Sequence, residues 1–86
     1  MLIWVTEARA LSDYRVWLRF SDATQGVVDL RDLVESDGRE IVRQLRDPLL
    51  FANLTVDADT VVWSNGFDLA PEFLRGRLDT GMATGR

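Results

Sequence analysis

The chain has 86 residues, 47% of them hydrophobic and 28% charged, and its 10 basic and 14 acidic side chains give a formal net charge of -4 at pH 7. That length holds one small domain with a thin core, and the composition is that of a folded chain rather than a disordered one. Cysteine and histidine are absent and every basic residue is arginine, which excludes disulfides, thiolate and imidazole catalysis, Schiff-base chemistry and most zinc sites.

Met1 to Glu7 carries neither a basic leader nor an apolar run of signal-peptide length, and no stretch approaches a membrane span, so a cytoplasmic protein is expected. Leu2 to Leu11 predicts a first strand, ended by the turn residues Ser12 and Asp13. Tyr14, Val16, Leu18 and Phe20 then alternate with Arg15, Trp17 and Arg19, the period of a strand with one buried and one mixed face. Past Ser21 to Thr24, the run Gly26 to Leu30 predicts a third strand, antiparallel to the second.

The period changes in the middle of the chain. Asp37 with Glu40 three residues on is the pattern of a capping box, and Ile41, Val42 and Leu45 follow at helical spacing until Asp47-Pro48 stops them. Leu49, Leu50 and Phe51 read as an apolar hinge over the sheet. Asn53 to Val56 and Thr60 to Trp63 flank Asp57-Ala58-Asp59 as a second hairpin. Ser64-Asn65-Gly66 breaks that strand, and Asp68 to Leu74, with Pro71 in a first turn, predicts a helix start, which makes the Asn-Gly pair a strand-to-helix corner. Residues 79–86 are small and polar and read as a disordered tail behind a single domain of residues 1–78.

Two groups of residues are candidates for an interaction surface. One is the corner of Trp63, Asn65, Gly66, Asp68 and Glu72, where an exposed indole and a carboxylate beside a glycine turn would grip a peptide or small ligand. Its structural alternative is that Gly66 supplies a positive φ, Asp68 caps the last helix and Trp63 packs in the core. The other is the face of Arg15, Trp17 and Arg19, whose guanidinium groups and indole suit contact with carboxylates or phosphates, unless they serve as cross-strand pairs and cover for the sheet. Arg39, Arg43 and Arg46 line a helical stripe that reads as a solvated face. Asp57 and Asp59, with Asp29 and Asp32 elsewhere, fall short of the ligand number and spacing of a calcium loop and read as polar turn residues.

The strand from Asp13-Tyr14 to Phe20, then Val28-Asp29-Leu30, then Phe51 ahead of a hairpin, then Trp63-Ser64-Asn65-Gly66-Phe67-Asp68-Leu69-Ala70-Pro71-Glu72-Phe73-Leu74, together resemble the DUF2442 family of small bacterial proteins over about Val5 to Leu74. The resemblance implies a compact α+β fold with no established activity. Among family members it implies two settings, a domain followed by a helix-turn-helix segment and the second member of a toxin-antitoxin-like gene pair.

The expected fold is therefore α+β, with about five antiparallel strands, a helix after the third strand and a C-terminal helix. The expected function is a non-catalytic protein-interaction module, antitoxin-like in its concrete form, with a protein partner or a second copy, no cofactor, no metal and no membrane. Two alternatives stand beside it: a small-ligand-binding or carboxylate-based catalytic protein using the Trp63 to Glu72 corner, and an accessory DNA-associated regulator. Direct contact with nucleic acid runs against the net negative charge.

Overall fold

The computed structural model describes residues 2–84, and the side chains of residues 2–78. The chain forms an α+β fold with two three-stranded antiparallel sheets. In the first, β1 (Val5–Ala10), β2 (Arg15–Phe20) and β3 (Gln25–Asp29) lie in that order; in the second, β4 (Leu54–Asp57), β5 (Thr60–Trp63) and β6 (Asp68–Leu69) do the same. Between the sheets run α1 (Arg31–Ser36), α2 (Glu40–Arg43), which tightens into a 3₁₀ turn over Gln44–Arg46, and α3 (Pro48–Ala52). Helix α4 (Pro71–Thr84) follows the second sheet. The tail expected for residues 79–86 lies outside the residues whose side chains are described.

The alternation read in β2 sets the first sheet. Val16, Leu18 and Phe20 are buried while Arg15 and Arg19 are exposed, because a strand places successive side chains on opposite faces. The register opposes Trp17 to Arg9 on one side and to Val27 on the other. On the inner face Gly26 lies opposite Leu18, and a Cβ built on Gly26 would come within 2.5 Å of Leu78 Cδ1. A glycine there lets α4 pack close against β3.

The expectation of about five strands is corrected to six in two sheets, and the difference arises at Asn65-Gly66. Gly66 has φ +90, a conformation glycine adopts without a Cβ penalty. Its N–H donates to the Trp63 carbonyl at 2.9 Å while the Trp63 N–H donates to the Phe67 carbonyl at 2.8 Å. The chain is thereby turned back as a hairpin rather than into a helix, and Asp68 pairs with Val62 in β6. Asp68 is accordingly a strand residue and not a helix cap; α4 starts at Pro71, whose fixed φ and missing N–H suit a first helical position.

The middle of the chain departs from the predicted single helix in the same local way. Arg39, not Asp37, occupies the N-cap of α2 and makes no side-chain cap bond. The Asp37 carboxylate instead accepts the Arg39 N–H at 3.0 Å and grips its guanidinium, at 2.8 Å from Nη2, a short-range bond that competes with a capping box. Leu49 to Phe51 are not a hinge but lie in α3, where the Asp47 carboxylate accepts the Leu49 N–H and Pro48 occupies the first turn. Helix α1 has no cap bond from its N-cap residue Leu30, but the Asp29 carboxylate one residue earlier accepts the Arg31 N–H at 2.9 Å; Val34 is buried in the shared core.

One core joins both sheets and all four helices, from Val5, Val16, Leu18 and Phe20 through Val34, Val42 and Leu45 to Val61, Trp63, Leu74 and Leu78. Four rings run through it in sequence, Tyr14 to Phe51 at 5.2 Å edge-on, Phe51 to Trp63 at 5.7 Å and Trp63 to Phe67 at 5.8 Å. Such ring pairs add to the area they bury. The sheets are also tied by backbone, the Val5 N–H donating to the Asp59 carbonyl at 2.9 Å.

The β4–β5 turn stores strain. Ala58 and Asp59 both have positive φ, 51 and 70, as a two-residue turn matching the twist of a hairpin requires; aspartate tolerates that conformation, but alanine does not, and glycine is the favoured second residue. The double substitution Ala58→Asn, Asp59→Gly, which installs the preferred Asn-Gly turn pair, is expected to stabilise the domain by about 1 kcal/mol, raising its melting temperature by roughly 4–8 °C. Thermal unfolding followed by circular dichroism checks this.

An acidic turn residue gives a pH-dependent counterpart. The Thr24 hydroxyl and amide donate to the Asp22 carboxylate at 2.6 and 3.1 Å and Arg75 Nε lies 3.5 Å from it. The Thr24 bonds, with Arg75 adding attraction, hold the Asp22 carboxyl below its ordinary value. A carboxyl lowered on folding contributes stability that is complete above its unfolded value of about 3.9 and is lost as the pH falls through the folded value. Asp22→Asn is therefore expected to lower stability at neutral pH, with the difference from the parent chain shrinking in urea titrations carried below about pH 4.

Candidate functional site

The corner predicted around Trp63 divides. Trp63 is 2% exposed, and its indole N–H donates to the Phe51 carbonyl at 2.9 Å. Asn65 is bound on both ends of its amide: Nδ2 donates to the Ile41 carbonyl at 3.0 Å and to Gln44 Oε1 at 2.8 Å, and Oδ1 accepts the Phe67 N–H at 3.1 Å. Together with the positive φ of Gly66, these bonds pin the β5–β6 turn to α2. The structure thus engages the Trp63 indole, the Asn65 side chain and the Gly66 N–H within the fold, and leaves Asp68 and Glu72 exposed beside them.

Arg15, Trp17 and Arg19 fall on one surface, the outer face of β1–β2–β3. Trp17 is half-buried at its centre, with Arg9 opposite on β1 and the exposed Val27 opposite on β3. Arg19 pairs with Glu7 at 3.0 Å, donates to Gln25 Oε1 and lies 6.0 Å from the Trp17 ring centre. Arg15 reaches back to the Ser12 carbonyl and hydroxyl at 3.1 and 3.3 Å. Arg9, on the same face, makes no ion pair or side-chain hydrogen bond among the described residues. The pairs present are exposed and contribute little to stability, so this face is not built as a stabilising charge network.

Beside the face lie two hollows. One of about 410 Å³ is lined by Arg9, Leu11 and Trp17. The other, about 460 Å³, is walled by Leu11, Asp13, Tyr14, Pro48, Phe51 and Ala52 among others. Its rim is held by the Tyr14 hydroxyl, which donates to the Arg46 carbonyl at 2.5 Å, and by Asp13 and Tyr14, both at φ 61. Sequence reasoning did not single out Arg9, Leu11 or the second hollow. The i, i+2 spacing of Arg9 and Leu11 does place them on one face, but the opposing α3 wall is about forty residues away in sequence and leaves no local signal.

The arginine stripe expected over Arg39, Arg43 and Arg46 is broken up by internal bonds. Arg39 is held by Asp37, whose carboxyl is kept below its ordinary value first by the hydrogen bond from that guanidinium, and the same bond, with the carboxylate charge second, raises the Arg39 value. Arg46 donates to the Val34 and Glu35 carbonyls at 3.0 and 2.8 Å, joining the 3₁₀ turn to α1. Among the described residues no group of three or more carboxylates is arranged to hold a metal ion, and no helix is long and apolar enough to cross a membrane.

Residues 5–78 match the model of a family described as a protein of unknown function, DUF2442. The chain belongs to the DUF2442 family. No curated protein matches it. A solved structure from Nitrosomonas europaea ATCC 19718, described as a "putative DNA binding protein", has the same fold, with a TM-score of 0.62 at 21% identity. The match covers 91% of this DUF2442 chain and 47% of that protein, so the chain spans about half the length of its structural neighbour.

Proposed function

We propose that this chain is a non-catalytic protein-interaction module that meets its partner through the outer face of β1–β2–β3. The observation that carries this reading is Trp17, set at the centre of the face with Val27 exposed beside it and Arg9, Arg15 and Arg19 around it. Tryptophan and arginine are the residue types that dominate binding hot spots, and an apolar centre with a charged rim is the anatomy of a protein interface. An antitoxin-like role, the masking of a partner protein by surface contact, requires this and no chemistry.

The ligand or catalytic reading of the Trp63 to Glu72 corner receives less support. Its indole is buried and its amide is fully used within the fold. The DNA-associated reading takes its support from the description of the Nitrosomonas protein and from three arginines sharing one face. Glu7 and Asp29 interleave with them there, which weakens a phosphate-tracking surface.

Affinity capture from nuclease-treated extract of the source cell tests the choice. A stoichiometric protein is expected on the parent chain and on an Asp68→Asn, Glu72→Gln variant, and is expected to be lost on Trp17→Ser, Arg19→Glu. Retention by the face variant, or capture only of duplex DNA with a steep salt dependence, overturns the proposal.

A further inference from the structure

We infer that the groove divided by Leu11 is a docking site for an extended acidic peptide segment of the partner, one apolar side chain entering the hollow between Tyr14, Pro48 and Phe51 and a carboxylate pairing with Arg9. The inference rests on the protein-binding reading and adds the chemistry of what is bound.

Leu11 lines both hollows and is 37% exposed between them. On one side the larger hollow offers the volume of an ordinary ligand pocket, about 300–1,000 Å³, and a largely apolar wall. Its shape is set before anything binds: the Tyr14 hydroxyl is tied to the Arg46 carbonyl, and Phe51 is fixed in the core against Tyr14 and Trp63. Preformed walls lower the ordering cost of binding.

On the other side charge decides the occupant. Arg19 is engaged by Glu7 and Gln25 and Arg15 by Ser12, but the exposed Arg9 side chain has no ionic or hydrogen-bonding partner among the described residues and borders the smaller hollow together with Leu11 and Trp17, its cross-strand neighbour. An arginine in that setting is complementary to a carboxylate brought by another chain, with which it makes charge-assisted, bidentate bonds. Asp13 on the wall of the larger hollow repels a second carboxylate there, so the segment is oriented with its acid at the Arg9 end and its apolar anchor at the Tyr14 end. Leu11 borders both hollows, so they adjoin, and with an extended strand advancing about 3.3 Å per residue the acid and the anchor are expected within about three residues of each other.

The test is selection of a random heptapeptide library on the full chain, followed by calorimetric titration of the selected peptide. The expected consensus pairs an aliphatic or aromatic residue with Asp or Glu within about three positions. Arg9→Gln, which removes an exposed side chain with no partner among the described residues, is expected to weaken binding about tenfold, the loss of one charge-assisted pair. Ala52→Arg, placed at an exposed position to fill the larger hollow, is expected to abolish it. Thermal unfolding of both variants at the parent temperature establishes that they fold. Absence of a consensus, a consensus without an acidic residue, or unchanged affinity in Arg9→Gln overturns the inference. A cellular partner that is lost on Trp17→Ser, Arg19→Glu but indifferent to Arg9→Gln and Ala52→Arg overturns the groove while leaving the protein-binding reading in place.

Discussion

Trp63→Ala is expected to destabilise the domain by about 3–5 kcal/mol, the range for removing a large buried aromatic side chain. Trp63 sits between Phe51 and Phe67 at the junction of the second sheet with α3, so its removal empties the middle of the ring series rather than an edge. The lost indole also leaves the Phe51 carbonyl without the donor it has at 2.9 Å. A domain of this length has a total stability of about 4–13 kcal/mol, which makes the variant marginal at 25 °C. Urea unfolding followed by far-ultraviolet circular dichroism measures the loss directly. Trp63→Phe separates the two contributions: it keeps most of the ring and removes the N–H, and is expected to cost about 1–3 kcal/mol. A Trp63→Ala chain as stable as its parent would return the indole to the surface and reopen the corner as a binding site.

Asn65→Ala is expected to cost about 2–3 kcal/mol, for a different reason. One side chain supplies two donors to α2 and its following turn and one acceptor to the β5–β6 turn, and its loss removes the Asn65 bonds of the Ile41 carbonyl and the Phe67 N–H, both in part-buried surroundings. Asn65→Asp discriminates this account from a simple turn preference. It keeps the acceptor for Phe67 but sets a carboxylate against the Ile41 carbonyl, so it is expected to be at least as damaging as alanine, although aspartate is a good turn residue. Asp68→Asn, three residues on and exposed, is expected to stay within about 0.5 kcal/mol of the parent. The same urea titrations rank all three. If Asn65→Ala unfolds with its parent while abolishing partner capture, Asn65 serves contact rather than folding.

Much of the first sheet was legible in the sequence because its signals are local. The period read over Tyr14 to Phe20 is a property of consecutive side chains, and it holds in β2, where Val16, Leu18 and Phe20 are buried, while Tyr14 falls in the preceding 3₁₀ turn at φ 61. The Thr60 to Trp63 strand and the hairpin it forms were equally readable, as was Pro71 at the head of α4, although Asp57 ends β4 and leaves Ala58-Asp59 as the turn. The Asn65-Gly66 turn was not. Its dipeptide is compatible with a hairpin or with a corner, and the choice fell to Phe67 returning to Trp63 and to the Asn65 amide reaching α2 more than twenty residues away. The Asp37-Glu40 pattern misled in a related way, since a capping box and an Asx bond to Arg39 use the same carboxylate, and the nearer amide won.

Composition, strand period and a family motif are carried residue by residue along the chain, and from them alone came the α+β class, membership of the DUF2442 family and the absence of thiol and imidazole groups from these 86 residues. Only the tertiary structure decided that Trp63 is core and Trp17 is at the surface, because equal tryptophans in equal strands differ only in what the other sheet and the helices bring against them. It also decided that Leu11 borders one hollow with Arg9 and Trp17 and another with Pro48, Phe51 and Ala52: β1 and α3 meet only when both sheets close on one core, and that closure is a sum of long-range contacts which no local stretch of residues contains.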